Sequence, residues 1–432
     1  MLTVLRHRTY RHLFSAQVIA LLGTGLLTVA LGLLAFDVAP EAAGAVLGLA
    51  MTIKMVAYVG VAPVISALVA RVPRKPLLIT ADLVRAAVAL CLPFVSEPWH
   101  IYILIFVLQA ASATFTPAFQ ALIPSVLPEE RDYTRALSLS RLAYDMEALV
   151  SPMLAAALLT VVGYEDLFVG TVVGFVGSAV VVAVTGLPRV EAPPAAPFLD
   201  RLTSGTRQLW ASTELRGLLG INLVVAGTTA MVIVNTVVIV REYLGRDQND
   251  VALLLAAYGA GSMVVALALP RVLDRVPDRR VMLVGASTLP VGLGATAGVL
   301  AWADPALAWP LLLGLWFVMG AATSAVLTPS ARLLRRNSTE QTCPAVFAAQ
   351  FSLSHACFLL TYPVAGVMGA WLGLPAAAAV LVVVAGVGLV WALLAWRSGR
   401  GDGADSAATI PQWWGPRSTP RGVVATGGQF RR

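Results

Sequence analysis

Several ionisable side chains stand within long apolar stretches of this sequence, where a charge is costly, and four of them are the first candidates for chemistry. Lys54 lies about 18 Å along its stretch at 1.5 Å per helical residue, and Arg141, Asp145 and Glu147 share another stretch. Ionisable groups at membrane depth usually face a cavity or a partner, and Arg141 and Asp145 have the i, i+4 spacing of a helical ion pair. Two hypotheses stay open: a static network that fixes helix packing, or a coupling or substrate role led by Lys54 and Asp145.

His355 is a fifth candidate for coupling, because a histidine can titrate near neutral pH. Its neighbours Ser352, Ser354 and Cys357 are equally compatible with a packed side chain that has no such role.

The sequence lacks the residue patterns that P-loop phosphate binding, metal binding and nucleophilic catalysis require. The two lysines, Lys54 and Lys75, do not stand in a phosphate-binding Gly-x-x-x-x-Gly-Lys pattern. The histidines are scattered, so we expect no metal site, and no nucleophile with a neighbouring base is visible. We therefore expect neither an enzyme nor a bound cofactor.

The elements that carry these residues are membrane helices. Hydrophobic residues make up 58% of the chain and charged residues 12%, whereas soluble domains are nearer one half and one quarter. A spanning helix needs about 20 apolar residues, and these runs are too long for strands. The sequence predicts an all-α membrane protein whose twelve segments are 13–37, 43–70, 77–96, 99–121, 136–162, 166–187, 216–240, 250–270, 281–302, 307–328, 343–371 and 375–396.

The cationic residues fix the predicted orientation. Connections between segments alternate between Arg-bearing and Arg-free, with only Arg241 and Arg246 on the predicted outer side. Because Lys- and Arg-rich short loops stay cytoplasmic, we expect a multi-pass protein of the inner or plasma membrane with both termini in the cytoplasm. This topology explains the net charge of +7 better than nucleic-acid binding does. Tryptophans at segment ends, including Trp99, Trp302 and Trp396, are predicted interfacial anchors.

The chain divides into two similar halves. We predict a six-helix bundle over 1–188, a cytoplasmic linker over 189–213 with a short helix near Phe198 to Trp210, a second bundle over 214–397 and a disordered cytoplasmic tail over 398–432. Matched landmarks recur about 210 positions apart and favour duplicated six-helix halves: Arg71 with Arg275, Thr116-Pro117 with Thr328-Pro329, and Ser151-Pro152 with Tyr362-Pro363.

At this point the chain resembles a major facilitator superfamily permease, and within it the drug-efflux group that includes macrolide-efflux, nickel-resistance and enterobactin-export permeases. The resemblance covers about residues 6–396. It rests on Arg8-Thr9-Tyr10-Arg11-His12-Leu13-Phe14, Ala81-Asp82-Leu83-Val84-Arg85-Ala86, Pro117-Ala118-Phe119-Gln120-Ala121-Leu122-Ile123-Pro124 and the Arg-rich loops after segments 2 and 8.

The resemblance implies roles for further residues. The two Arg-rich loops would gate the cytoplasmic side through Arg71, Arg74, Lys75, Asp274, Arg275 and Arg279. Segments 1, 4, 7 and 10 would line a central cavity with Gln17, Thr24, Gln109, Asn222 and Asn235. Segment 3 would be peripheral, so Asp82 and Arg85 are predicted to form a structural pair that braces the loop after segment 2.

The sequence departs from the family pattern at three kinds of position. Ser66 and Ala70 stand where the gating loop usually has Gly and Asp, Thr24 stands where helix 1 often has an acidic residue, and Ser151-Pro152 replaces the Gly-Pro of the antiporter motif.

The expected function is proton-coupled efflux of an amphipathic small molecule, such as a drug, siderophore or secondary metabolite, by alternating access. We expect a monomer whose partners are the substrate, the proton and membrane lipids. Two alternatives remain: a proton-independent facilitator or lipid flippase, and a membrane sensor or scaffold that does not transport.

Overall fold

The computed structural model describes residues 2–38, 43–188 and 197–398, and within these ranges the regular elements are all helices. The α-helices are α1 Arg8–Val38, α2 Ala43–Val56, α3 Ala62–Leu68, α4 Arg74–Cys91, α5 Pro98–Val126, α6 Glu130–Leu159, α7 Tyr164–Val184, α8 Phe198–Ala211, α9 Thr213–Val238, α10 Gln248–Leu273, α11 Asp278–Trp302, α12 Pro305–Arg336, α13 Cys343–Leu372 and α14 Leu374–Ser398. Short 3₁₀ turns occupy Leu2–Arg6 and Leu92–Phe94, and π-helical turns occupy Ala57–Val61 and Ile239–Tyr243.

The predicted fold class is confirmed. In the described part of the chain, ten helices are long and apolar enough to cross a membrane. The two remaining predicted segments are also helical: the second is divided into α2 and α3 by a π-helical turn, and the fifth, α6, carries buried charges that lower its hydropathy.

Several helices extend past the apolar runs that predicted them. The segment predicted over 136–162 begins at Glu130, and the segment predicted over 307–328 ends at Arg336. Both extensions lie at the end of the bundle where Arg8 begins α1 and Arg74 begins α4. We call this end the Arg-rich face. Charged residues of one half contact the other half there, so the helices continue beyond the apolar core.

The two halves repeat their packing. In the first half α1 contacts α7, and α4 contacts both α5 and α7; in the second half α9 contacts α14, and α11 contacts both α12 and α14. This recurrence is what duplicated six-helix units would give. The domain boundaries stay predictions, and the tail after residue 398 lies outside the described residues.

The halves meet along two seams. On one side α6 packs against α10 and α12, and on the other α13 packs against α2, α3 and α5. The helix predicted within the linker is present as α8, which lies on α13 and α3. Gly205 permits this contact, because a Cβ there would stand 2.1 Å from the carbonyl oxygen of Ala345.

The tryptophan side chains fall into two groups by solvent exposure. Trp99, Trp302 and Trp371 are exposed at the face opposite the Arg-rich face, as expected of interfacial anchors. The same prediction for Trp396 is wrong: its side chain is 2% exposed, and its indole N–H donates to the carbonyl of Glu214 at 2.9 Å. Trp396 therefore joins α14 to the start of α9.

We expect Gly320→Ala to destabilise the second half. A Cβ at Gly320 would lie 1.9 Å from the carbonyl oxygen of Tyr258, where α12 crosses α10. Overpacking of this kind typically costs roughly 1–3 kcal/mol, and the obstacle here is backbone. Thermal unfolding of the solubilised protein measures the loss. Gly314→Ala on the same helix is the control, since nothing lies within 4 Å of its Cβ position; equal stability of the two variants would contradict the prediction.

Candidate functional site

Asp145 is the centre of a polar cluster that joins the two halves. Its carboxylate oxygen Oδ1 pairs with Arg141 Nη2 at 3.0 Å, one turn earlier on α6. From α10 of the second half, Ser262 Oγ donates to Asp145 Oδ2 at 2.7 Å and accepts from Arg141 Nε at 3.0 Å. Asp145 is 7% exposed. We call Arg141, Asp145 and Ser262 the Asp145 cluster. The predicted i, i+4 pair is confirmed, and Ser262 is the member that sequence reasoning missed.

Lys54 and Glu147 are brought together from different helices. Lys54 on α2 interacts electrostatically with Glu147 on α6, although the described residues contain no direct salt bridge between them. Lys54 Nζ also lies 5.7 Å from the ring centroid of Tyr58. Glu147 approaches α1 at Gly25, where a Cβ would stand 2.9 Å from its Oε1. We call Lys54, Tyr58 and Glu147 the Lys54 cluster; Glu147 gives Lys54 a partner from another helix, one of the two settings expected of an ionisable group at membrane depth.

His355 lies beside the Lys54 cluster in an aromatic setting. Its ring centroid is 4.8 Å from that of Tyr58 and 4.3 Å from that of Phe351. Nδ1 lies 2.7 Å from the carbonyl oxygen of Phe351 on the same helix. His355 thus connects α13 of the second half to the Lys54 cluster of the first, and its coupling role stays a prediction.

A π-helical turn over Ala57–Val61 positions Tyr58 between Lys54 and His355. Pro63 follows the turn and has no N–H to donate to the carbonyl of Val59 four residues earlier. That carbonyl accepts instead from Ser352 Oγ on α13. Single π-helical turns are frequent at functional sites, and Pro63 is the sequence signal that could have predicted this one.

The amides predicted to line a cavity mostly contact other helices. Asn222 on α9 accepts from Gln350 Nε2 on α13 at 2.9 Å, while Asn222 Nδ2 and Gln350 Oε1 are buried without partners among the described residues. Asn235 donates to the carbonyl of Ala365 at 3.3 Å. Gln17 accepts from Ser140 Oγ at 3.0 Å. Asn222 and Gln350 thus each have one buried polar atom without a partner among the described residues, whereas Asn235 joins α9 to α13; the cavity-lining role of these amides stays a prediction.

Two further residues predicted to line the cavity, Thr24 and Gln109, have no hydrogen bond to another helix among the described residues. Thr24 donates to the carbonyl of Ala20 within α1 at 2.9 Å, and Gln109 is half-buried on α5. Their place in a cavity stays a prediction.

Asp82 and Arg85 form a buried ion pair on α4. The guanidinium carbon of Arg85 lies 4.4 Å from the ring centroids of both Phe115 and Phe175. The pair thus braces α4 against α5 and α7. The predicted role of this structural pair in bracing the loop after α3 stays a prediction.

A second charged network joins the halves at the Arg-rich face. Glu130 on α6 pairs with both Arg332 and Arg336 on α12. Asp278 of α11 also contacts these arginines, with its Oδ2 3.0 Å from Arg336 Nη1 and 3.3 Å from Arg332 Nε. We call Glu130, Asp278, Arg332 and Arg336 the Glu130 network.

Hydrogen bonds from two more arginines close this face. Arg335 Nη2 donates to the carbonyl of Pro128 at 2.6 Å, and its guanidinium lies 4.6 Å from the ring centroid of Tyr133. Arg74 donates to the carbonyl of Ala121 at 3.1 Å and to that of Glu340, in the second half, at 3.3 Å.

The predicted gating residues divide into two groups. Arg74 contacts the second half as described, and Asp274 Oδ2 lies 3.4 Å from Arg131 Nη2 of the first half. Arg279 donates to the carbonyl of Trp396 within its own half. Arg71, Lys75 and Arg275 make no ion pair with the other half in the described part of the chain. The residues of the Glu130 network were missed, although the Glu129-Glu130 pair before segment 5 and Arg332 to Arg336 after segment 10 are visible in the sequence.

Glu130 remains ionised at neutral pH. Burial alone would raise its pKa, but the guanidinium groups of Arg332 and Arg336 lower the pKa of this carboxyl overall. Glu130 begins α6 and precedes the apolar segment. Because its pKa is lowered in this conformation, its stabilising contribution is present above the usual carboxylate pKa and is lost as the pH falls through the lowered value.

The arrangement is suited to a change of conformation and to proton binding. Titratable groups at membrane depth stand on α6 and α2, and the Asp145 cluster crosses from one half to the other. Movement of the halves would therefore change the partners of Asp145, while opening of the Arg-rich face requires the Glu130 network to separate.

The sequence was compared with protein families and with known proteins. The Major Facilitator Superfamily profile matches residues 13–232 and 217–410. The chain is 26% identical over 264 residues to macrolide efflux protein A of Streptococcus pyogenes, covering 58% of this chain and 63% of that protein, so the match spans less than two thirds of the relative. It is 25% identical over 325 residues to the uncharacterized MFS-type transporter YfiS of Bacillus subtilis, covering 72% and 75%.

A solved structure has the same fold. A bacterial homologue of the iron transporter ferroportin, in an outward-facing state, superimposes with a TM-score of 0.76 at 12% identity, covering 91% of this chain and 99% of that one. The predicted resemblance to drug-efflux permeases is confirmed by the sequence relatives, and the fold by the structural one. The chain belongs to the major facilitator superfamily.

Proposed function

We propose that this multi-pass membrane transporter exports an amphipathic small molecule from the cell by alternating access, driven by inward proton flow. The observation that carries the proposal is the Asp145 cluster, in which a buried carboxylate of the first half is held by Ser262 of the second. A titratable group at membrane depth that bridges the moving parts can couple its protonation to their movement.

The proposed orientation puts the Arg-rich face in the cytoplasm of the cell, because short Lys- and Arg-rich loops stay on that side. With this orientation the described conformation is closed to the cytoplasm by the Glu130 network, and both termini are cytoplasmic. The protein acts in the plasma or inner membrane as a monomer, and it is not an enzyme.

Proton coupling would use the charge of Asp145. While ionised, the carboxylate attracts Arg141 and accepts from Ser262, which holds α6 to α10. Protonation removes the charge and weakens both contacts, so the halves can separate along this seam. Glu147 and Lys54 form a second pair whose mutual attraction depends on protonation in the same way.

The substrate class follows from the groups available between the halves. Aromatic rings of Tyr58, Phe351 and Phe358 surround His355, and Gln350, next to Phe351 in the chain, has a buried oxygen without a partner among the described residues. Such a mixture suits a molecule with an apolar body and a few polar groups better than a sugar or an inorganic ion. The relatives whose printed name is macrolide efflux protein A support export of an organic compound.

A flux measurement with purified protein tests the proposal. The full chain is reconstituted in proteoliposomes, and accumulation of a labelled macrolide and of ethidium is followed under an imposed pH gradient. We expect accumulation that stops when an ionophore collapses the gradient. Flux that persists after collapse would favour a facilitator or flippase, and the absence of flux for a panel of amphipathic compounds would favour a sensor or scaffold.

A further inference from the structure

A cavity lies at the Arg-rich face, and no residue of the Asp145 or Lys54 cluster lines it. Its volume is about 800 Å³, and its walls come from α3 and α5 of the first half, α13 of the second half and α8. The small and apolar residues Ala62, Ala113, Pro117 and Ala348, which are buried in the protein, form the inner part of the wall. The cavity can therefore hold an apolar chain against its helices.

The rim of this cavity carries an excess of positive charge. Five cationic side chains and two acidic ones line it: Arg71, Arg74, Lys75, Arg201, Arg207, Asp200 and Glu340. Arg207 Nη2 lies 3.0 Å from Asp200 Oδ1, so these two charges offset each other. Arg74 is occupied by the backbone carbonyls of Ala121 and Glu340.

Three cations of the rim lack an anionic partner. Arg71 and Lys75 make no ion pair or hydrogen bond through their side chains in the described part of the chain, and Arg201 Nε is buried without a hydrogen-bond partner there. A buried guanidinium nitrogen without an acceptor is costly. A ligand with phosphate oxygens would supply the missing acceptors and the missing negative charge.

The helix α8 places this rim at the membrane surface. Phe198, Leu199 and Trp210 are exposed apolar side chains on a helix that also carries Asp200 and Arg207. A short helix with apolar and charged faces is typical of the boundary between headgroups and acyl chains. The cationic rim therefore lies at headgroup depth, and the apolar wall lies at acyl-chain depth.

We propose that this cavity binds an anionic phospholipid, with its phosphate between Arg71, Lys75 and Arg201 and an acyl chain along α3 and α5. Basic pockets between membrane helices on the cytoplasmic side are suited to anionic headgroups. The cavity has both a cationic rim and an apolar wall. A lipid can contact both, whereas an inorganic phosphate can contact only the rim, so a lipid is the better ligand.

The bound lipid would hold the two halves together at this face. Arg71 and Lys75 belong to the first half. Arg201 is on α8, which is fixed to the second half by the approach of Gly205 to Ala345 and by the hydrogen bond from Gln208 to the carbonyl of Asn337 at 2.5 Å. One headgroup that contacts both sets stabilises the conformation in which the Glu130 network is formed.

A thiol at the same face reports on this conformation. The chain has three free cysteines, and Cys343 at the start of α13 is buried with its Sγ 4.0 Å from the carbonyl oxygen of Ala121. In a Cys91→Ala/Cys357→Ala background, labelling of Cys343 by a water-soluble maleimide measures opening of the Arg-rich face.

The experiment compares additives on the full chain in detergent. Dioleoylphosphatidylglycerol is expected to raise the Tm and to slow Cys343 labelling at least about threefold, since a ligand that prefers one state stabilises that state. Dioleoylphosphatidylcholine and inorganic phosphate are expected to do neither. An equal effect of phosphatidylcholine would overturn the charge argument, and an equal effect of inorganic phosphate would show a soluble-anion site and overturn the lipid assignment.

Two variants make the test specific. Arg71→Gln/Lys75→Gln/Arg201→Gln should lose the phosphatidylglycerol effect, whereas a control with three exposed cations removed from the same face, Arg6→Gln/Arg8→Gln/Arg11→Gln, should keep it. Thr114→Phe fills the apolar wall without a change of charge and should also lose the effect, which keeps the test decisive if the triple variant does not fold. Retention of the effect in either cavity variant overturns the proposal.

Discussion

Asp145→Asn should abolish substrate accumulation driven by a pH gradient, while the protein still reaches the membrane. Asparagine keeps the shape of the side chain and can still accept from Ser262, but it cannot gain or lose the charge that pairs with Arg141. We expect accumulation to fall at least about tenfold, which corresponds to a free-energy change of about 1.4 kcal/mol or more. Flux in proteoliposomes, normalised to the amount of folded protein, measures the loss.

The controls separate coupling from stability. Asp145→Asn leaves Arg141 unpaired, and an uncompensated buried charge typically costs about 3–5 kcal/mol, so a double variant with Arg141→Gln removes both charges. We expect the double variant to recover Tm but not accumulation. Asp247→Asn, an exposed aspartate at the opposite face without a side-chain cap, should behave as the wild type. Full accumulation in both Asp145→Asn and Lys54→Ala would remove the coupling proposal.

Glu130→Ala should open the Arg-rich face. The change removes the carboxylate that pairs with Arg332 and Arg336 from the other half and leaves these two cations with Asp278 alone. Two partly exposed ion pairs contribute about 1–2 kcal/mol together, which corresponds to roughly a 5- to 30-fold shift between conformations. With Cys343 as the single thiol, the rate of maleimide labelling should rise by a factor of roughly 5 to 30.

The neighbouring residue supplies a matched control for this prediction. Glu129 is exposed, and its side chain does not cap α6. Glu129→Ala removes the same charge from the same face and should leave the labelling rate unchanged. If both variants label alike, the contacts of Glu130 do not hold the face closed.

Much of the fold could be predicted because its signals are local. Apolar runs predicted the ten helices that are long enough to cross a membrane and two further helical segments, since hydropathy acts through nearby residues. The Arg141–Asp145 pair was predictable for the same reason, because helical spacing alone brings these side chains together.

The rest of the site depends on which helices face each other. Ser262 and Ser352 are ordinary serines in sequence, and only the packing of α10 and α13 against the first half gives them partners. The Glu130 network joins residues about two hundred positions apart, so no local pattern reveals it. Trp396 was misassigned because proximity to a helix end predicts an interface, whereas the approach of α9 at Gly217 buries its indole.

The widened turn at Ala57–Val61 also fixes the azimuth of Lys54. Each residue of an α-helix advances by about 100° around the axis, so a π-helical turn shifts the helical register of everything before it relative to α3. If the same residues formed an ordinary α-helix instead, Lys54 would be rotated by about 100°, away from the side on which Glu147 lies, whereas deletion of one residue within the turn would keep its direction. The direction in which this lysine points is thus decided near Pro63, two and a half turns along the chain from the ammonium group itself.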